Sequence, residues 1–161
     1  MSGRLRRGAG RKGVLWLTAF ILLASVTLPC LAETETLLPD GKHRLLLPEG
    51  MIFQQPAANE TDLKGIWLLE PDLEMLVFCY DAGDITEQDL AQKLVDAGRN
   101  AEVRRIGEQD FLVFQDVDES DGAHCIGYAF LAEGKMIEIS FFYATQEAMD
   151  LTKTIMESFH I

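Results

Sequence analysis

Apolar residues recur at helical spacing in two stretches of the chain. One helix is predicted to begin at Thr86, with Asp89 three residues on as a capping acid, and to end at Gly98. A second helix is predicted to begin near Thr145. The residues that fall on one side are Leu90, Leu94 and Ala97 in the first helix and Ala148, Thr152, Ile155 and Phe159 in the second.

The remaining apolar runs are short and favour strands separated by turns. The connections between the later runs contain glycine and acidic residues and are only a few residues long, which favours an antiparallel meander. The sequence therefore predicts an α+β domain, with an antiparallel sheet of about six strands flanked by two helices. The predicted extended segments are 45–47, 51–54, 65–70, 73–80, 101–106, 111–117, 123–131 and 136–143.

The predicted strands are apolar on both faces. Between Leu73 and Tyr80 only Glu74 is charged, although neighbouring side chains of a strand point to opposite faces. A sheet with one face in water would alternate apolar with polar residues. The simplest interpretation is one helix packed on each face; the alternative is a ligand groove or partner surface on one face.

The first 32 residues have the three parts of a secretion signal. A basic head precedes an uncharged apolar stretch from Val14 to Leu28, and small residues follow at Cys30 and Ala32. Cleavage is expected between Ala32 and Glu33. The alternative is a membrane anchor formed by residues 14–28, although this stretch is shorter than the ~20 residues of a typical spanning helix. After cleavage we expect no stable membrane span and a secreted or extracytoplasmic location in the cell envelope.

The remaining chain divides into a polar lead-in, residues 33–41, and a single α+β domain, residues 42–161. The leader holds five of the 14 basic residues and none of the 26 acidic ones, so residues 33–161 carry a net charge of −17. Such a charge repels phosphate backbones and makes nucleic acid an unsuitable partner. The partner is expected to be an unknown protein or small ligand.

Two cysteines follow the leader, Cys79 and Cys125. In an oxidising compartment they could form a disulfide; otherwise they are two buried free thiols within strands. A bridge requires Cα atoms within about 7 Å of each other.

Three short segments resemble those of the PsbP-like superfamily, including its secreted bacterial members. They are Leu47-Pro48-Glu49-Gly50, the Ile85-Thr86 opening of the first helix, and the final segment 155–161. Met51 departs from the pattern, because tryptophan is frequent at that position. The resemblance implies an α/β/α sandwich around an antiparallel sheet and a non-enzymatic binding or assembly role.

The sequence indicates no catalytic, cofactor-binding or metal-binding set. Asp116, Asp118, Ser120 and Asp121 precede Gly122, but this spacing does not match a calcium loop and predicts an acidic hairpin turn. His124 adjoins Cys125, yet neighbours in a strand point to opposite faces. His43 and His160 lie near the domain's ends and have no partner at ligand spacing.

We therefore expect an exported, non-enzymatic binding or assembly module. The alternatives are a thiol-dependent hydrolase or redox enzyme that uses Cys79 or Cys125, or a structural component of the envelope.

Overall fold

The computed structural model describes residues 33–96, 98–117 and 124–161. The predicted leader, Ala97 of the first predicted helix and the predicted acidic turn from Asp118 to Gly122 lie outside these residues. The helices are α1 (Glu87–Asp96) and α2 (Gln146–Glu157). The strands are β1 (Glu33–Leu37), β2 (Arg44–Pro48), β3 (Ile52–Gln54), β4 (Leu63–Leu69), β5 (Leu73–Asp81), β6 (Ala101–Ile106), β7 (Gln109–Val117), β8 (His124–Ala132) and β9 (Lys135–Tyr143).

The described strands form two antiparallel sheets. Seven strands pair in the order β3-β4-β5-β9-β8-β7-β6, and β1 pairs with β2 alone. The α+β class and the antiparallel meander are confirmed. Seven strands, rather than about six, form the main sheet because the three-residue β3 pairs with the edge of β4.

The segment predicted as a polar lead-in contains β1. Glu33 to Leu37 pairs along its whole length with β2, from Pro48 back to Arg44. The prediction missed this strand because its side chains are mostly exposed on both faces, so no apolar alternation marks it.

One face of the main sheet is fully covered, and we call it the α2 face. Its central side chains are Met75, Val77, Ile139, Phe141 and Tyr128, all of which are buried. Helix α2 and the β1–β2 hairpin pack on it. The buried residues they contribute are Leu45 and Leu47 from β2 and Ala148, Ile155 and Met156 from α2.

The opposite face, which we call the α1 face, is covered by a helix over one half. Leu90 of α1 packs on Leu112, Phe114 and Ala129, which lie on β7 and β8. The two helices therefore lie on opposite faces, and the α/β/α arrangement predicted from the apolar strands is confirmed.

Each helix begins after a threonine that caps its N-terminus. In α1 the Thr86 hydroxyl accepts the Asp89 N–H at 3.2 Å, and an Asp89 carboxylate oxygen accepts the Thr86 N–H at 2.9 Å. In α2 the Thr145 hydroxyl accepts the Ala148 N–H at 3.2 Å. Gly98, at φ +78°, follows the first helix in a left-handed conformation that suits glycine.

The beginning and end of the domain are joined by hydrogen bonds. Arg44 and His160 exchange two backbone hydrogen bonds of 2.8 and 3.1 Å. The Ser158 hydroxyl accepts the Leu46 N–H at 2.8 Å. These contacts hold the β1–β2 hairpin against the residues that follow α2, so that this side of the α2 face is covered.

Candidate functional site

The half of the α1 face that α1 leaves uncovered carries a group of neighbouring apolar side chains. We call this group the open patch, and its members are Ile52, Ile66, Leu68, Leu76, Phe78 and Phe142. Ile52 is 62% exposed and the other five are half-buried. No described helix packs on them.

The pairing of strands β3, β4, β5 and β9 determines which side chains are neighbours in the open patch. Ile52 on β3 lies opposite Leu68 on β4, and Ile66 on β4 lies opposite Leu76 on β5. Directly opposed side chains have Cβ atoms about 4.5–5.5 Å apart, so these pairs touch. On β9, Phe142 lies opposite Glu74 of β5, whose other neighbour is Leu68 of β4.

Two carboxylates interrupt the open patch. Glu74 lies between Leu68 and Phe142, and Glu138 lies opposite Phe78. The Ser140 hydroxyl donates to Glu138 Oε1 at 2.8 Å. Within residues 33–96, 98–117 and 124–161, no Lys or Arg nitrogen lies within 4 Å of either carboxylate.

Glu138 also acts on Tyr80, which lies on the same face of β5 as Phe78. Burial raises the pKa of Tyr80 to about 12, with Glu138 and Asp62 adding to the rise and Arg99 opposing it. The Tyr80 ring stacks on Phe78, with centroids 5.9 Å apart. Tyr80 is therefore a neutral phenol at physiological pH and extends the aromatic surface of the patch.

Phe114, in the half of the α1 face that α1 covers, extends over the neighbouring strand β8. Phe114 on β7 lies opposite Gly127 on β8, and the glycine's missing Cβ leaves room for the Phe114 ring. The Arg99 guanidinium lies 5.1 Å from the centroid of that ring and 3.4 Å from an Asp116 oxygen. Asp116, the one described member of the acidic turn segment, therefore pairs with an arginine.

The two cysteines do not form the disulfide considered from the sequence. Both are free thiols; Cys79 lies on the α2 face of β5 and Cys125 on the α1 face of β8, with β9 between them. Cys79 is opposite Ile137 whereas Cys125 is opposite Phe142, five residues away along β9. Their opposite orientation rules out a bridge in this fold.

The prediction that His124 and Cys125 point apart is confirmed. The exposed His124 ring stacks on Tyr143 on the α2 face, with centroids 5.6 Å apart. Burial raises the pKa of the Cys125 thiol to about 11; Arg99 opposes this rise, while Glu138 and Asp116 add to it. A thiol with this pKa is a poor nucleophile near neutral pH.

The structure brings together two histidines that the sequence left unassigned. His43 and His160 both line a cavity of about 510 Å³ at the end of the sheet where the β6–β7 and β8–β9 turns lie. His43 is 5% exposed and pairs with Asp40, with 2.5 Å between Nδ1 and Oδ2. The sequence signal was the spacing of Asp40 and His43 around Gly41, which predicts a turn that brings the two together.

In the described part of the chain, no three His, Cys, Asp or Glu side chains lie close enough together to hold a metal ion. Within the same residues, no helix is both long and apolar enough to cross a membrane.

Comparison with known proteins gives the fold. No protein-family model matches the chain, and no curated protein matches it. The solution structure of cyanobacterial PsbP (CyanoP) from Synechocystis sp. PCC 6803 is similar with a TM-score of 0.62 and 19% identity, over 87% of this chain and 98% of that one. A crystal structure from Bacteroides thetaiotaomicron is similar with a TM-score of 0.58 and 10% identity, over 78% of this chain and 47% of that one. The chain therefore has the PsbP-like fold that its sequence predicted.

Proposed function

We propose that the chain is an exported, non-enzymatic binding or assembly module, and that it docks a basic protein partner on the open patch. The observation that carries this proposal is an apolar sheet surface that no described helix covers. Exposed contiguous apolar surface is uncommon on monomeric proteins and marks interaction sites.

The kind of partner follows from charge. Glu74 and Glu138 lie within the apolar surface, and residues 33–161 carry a net charge of −17. A partner that presents apolar side chains together with Lys or Arg would satisfy both carboxylates and associate quickly. A second copy of this chain would place like charges against each other, which disfavours self-association through this surface.

The thiol-enzyme alternative has less support. Cys79 is buried against the α2 face, and the pKa of Cys125 is raised rather than lowered. A catalytic thiol requires the opposite shift, produced by a neighbouring cation or a helix N-terminus. The export step rests on the predicted leader, residues 1–32.

Site-specific crosslinking in the native exported fraction tests the proposal. A photoreactive amino acid at position 52, on the open patch, is compared with one at position 103. Val103 is a matched control because it is an exposed valine on the same face, at the opposite edge of the sheet. We expect a defined crosslinked protein from position 52 and none from position 103, identified by mass spectrometry.

Two variants then test the chemistry of docking. Leu76→Lys places a cation in the centre of the open patch and should abolish the crosslink, whereas Val103→Lys should not. Glu74→Gln should weaken binding and reduce its dependence on salt, with Glu157→Gln on α2 as the charge-matched control. A partner with an acidic contact surface, or equal crosslinking from positions 52 and 103, would contradict the proposal. The proposal would also be contradicted if light scattering showed a dimer and Leu76→Lys dissociated it.

A further inference from the structure

A cavity separate from the open patch is built around a buried histidine. It has a volume of about 510 Å³ and lies between the β1–β2 turn, the β6–β7 turn, the β8–β9 turn and the segment after α2. A volume of this size suits a small organic molecule. No residue of the open patch lines it.

The histidine is held rigidly. The His43 ring stacks on Phe159 with centroids 4.8 Å apart and meets Phe130 edge-on at 5.3 Å. Its Nδ1 lies 2.5 Å from Asp40 Oδ2, and both side chains are more than nine-tenths buried. Packing and hydrogen bonding therefore fix the orientation of the ring.

Asp40 fixes the tautomer of that ring. Burial alone would raise the pKa of Asp40, but hydrogen bonds from the His43 side chain and from the backbone N–H groups of Lys42 and His43 outweigh it and lower the pKa. The ionised carboxylate only accepts hydrogen bonds, so Nδ1 carries the proton it donates. In the neutral imidazole, Nε2 then presents a lone pair.

The Nε2 lone pair is free to accept a hydrogen bond. Nε2 has no hydrogen-bond partner among the described residues, whereas Nδ1 is paired with Asp40. Because no fully buried side-chain nitrogen or oxygen in this part of the chain lacks a partner, Nε2 keeps some exposed surface, and His43 is one of the residues that line the cavity. An unpaired acceptor on a buried ring that lines a cavity is a position to which a ligand N–H can donate a hydrogen bond.

The cavity rim is acidic. Glu108 and Glu133 line it and neither forms an ion pair within the described residues, whereas Lys42 is the one lysine among the lining residues. Phe159 and Leu131 supply an apolar wall. An acceptor at the base, acids at the rim and an apolar wall together suit a donor that is positively charged and carries an alkyl or aryl group.

We propose that this cavity binds a small organic cation, an ammonium or guanidinium group on an apolar chain, with one N–H donated to His43 Nε2. The apolar chain packs on Phe159 and Leu131, and Glu108 and Glu133 balance the charge. The cavity and the open patch share no residue, so this inference stands or falls independently of the proposed docking function.

A matched pair of probes tests the sign of the charge. Hexylammonium and hexanoate carry opposite charges on short alkyl chains. Each is titrated into the purified full chain at about pH 8, and binding is followed by amide chemical shifts. Hexylammonium should produce saturable shifts confined to the turns around His43, Leu131 and Phe159. Hexanoate should produce none. Tighter binding of hexanoate, or shifts spread over the whole acidic surface, would overturn the proposal.

Variants locate the interaction. His43→Phe keeps the aromatic stack but removes the acceptor, and should weaken hexylammonium binding by about tenfold. If that variant does not fold, Glu133→Gln serves in its place, because Glu133 is an exposed turn residue, and should weaken binding about threefold. Glu147→Gln removes the same charge from an exposed position in the first turn of α2, outside both the cavity and the open patch, and should leave binding unchanged. Equal weakening by Glu133→Gln and Glu147→Gln would show general attraction to an acidic protein and refute the site.

Discussion

The two faces of the main sheet have similar apolar residues, but they are covered to different extents. On the α2 face, a twelve-residue helix and a hairpin bury every central side chain. On the α1 face, a ten-residue helix buries one leucine of its own and covers only β6 to β8. Leu76 and Phe78 are as apolar as Leu112 and Phe114, yet only the latter pair is buried. Apolar composition alone therefore does not distinguish core from interface; the reach of the covering element does.

Adjacent phenylalanines on β9 should show the largest difference. Phe141→Ala removes a fully buried ring on the α2 face and should lower the free energy of unfolding by about 4 kcal/mol. Phe142→Ala removes a half-buried ring on the open patch and should cost about 1 kcal/mol. Urea unfolding of both variants measures the contrast. Equal costs would mean that the α1 face is covered after all.

Two glycines under aromatic rings give the next contrast. An added Cβ at Gly127 would lie 2.1 Å from Cζ of Phe114, a buried ring that is also covered by the Arg99 guanidinium. Gly127→Ala should therefore cost about 2–3 kcal/mol in thermal or urea unfolding. Gly65→Ala meets the Trp67 ring at 2.3 Å, but that ring is half-buried beside the exposed Phe53 and can move, so about 1 kcal/mol is expected. A larger cost for Gly65→Ala than for Gly127→Ala would mean that the Trp67 ring is held more rigidly than the Phe114 ring.

The Asp40–His43 pair should make the free energy of unfolding sensitive to acid. Because the pKa of Asp40 is lowered on folding, its contribution is complete above the ordinary aspartate pKa of about 3.9 and is lost as the pH falls through the lowered folded value. Asp40→Asn should cost about 1–2 kcal/mol at pH 7, and the difference from the native protein should shrink below about pH 4. Unfolding free energies across this range measure it. A cost that does not change with pH would assign Asp40 a role as an uncharged turn residue.

The smallest effect is expected for Leu76→Lys in the isolated domain. Its half-buried side chain has room for the lysine stem to lie along the sheet while the ammonium reaches water near Glu74 and Glu138, so about 0.5 kcal/mol is expected. Urea unfolding measures it alongside Phe142→Ala. A loss as large as that of Phe141→Ala would show that position 76 belongs to the core.

Much of the fold could be predicted from local patterns. Thr86, Asp89 and Gly98 predicted the limits of α1 because capping depends on neighbouring residues only. The apolar character of both faces of β5 predicted a three-layer arrangement, which the positions of Leu90 and Ile155 confirm.

The rest depends on long-range register. Cys79 and Cys125 both lie in apolar strands, and only the pairing of each with β9 shows that they point in opposite directions. Strand β1 has no apolar alternation and is defined by its partner. The cavity around His43 requires four segments from distant parts of the sequence, so no spacing rule could have located it.

The hydrogen bonds from Leu46 to Ser158 and from Arg44 to His160 span more than a hundred residues. Such distant pairings are slow to form, because the intervening chain must first be ordered. A ribosome or a translocation channel that releases the chain from its N-terminus would deliver these partners last. The β1–β2 hairpin then cannot dock until the residues after α2 have emerged, so this side of the sheet is covered only when residues 158–160 have been released.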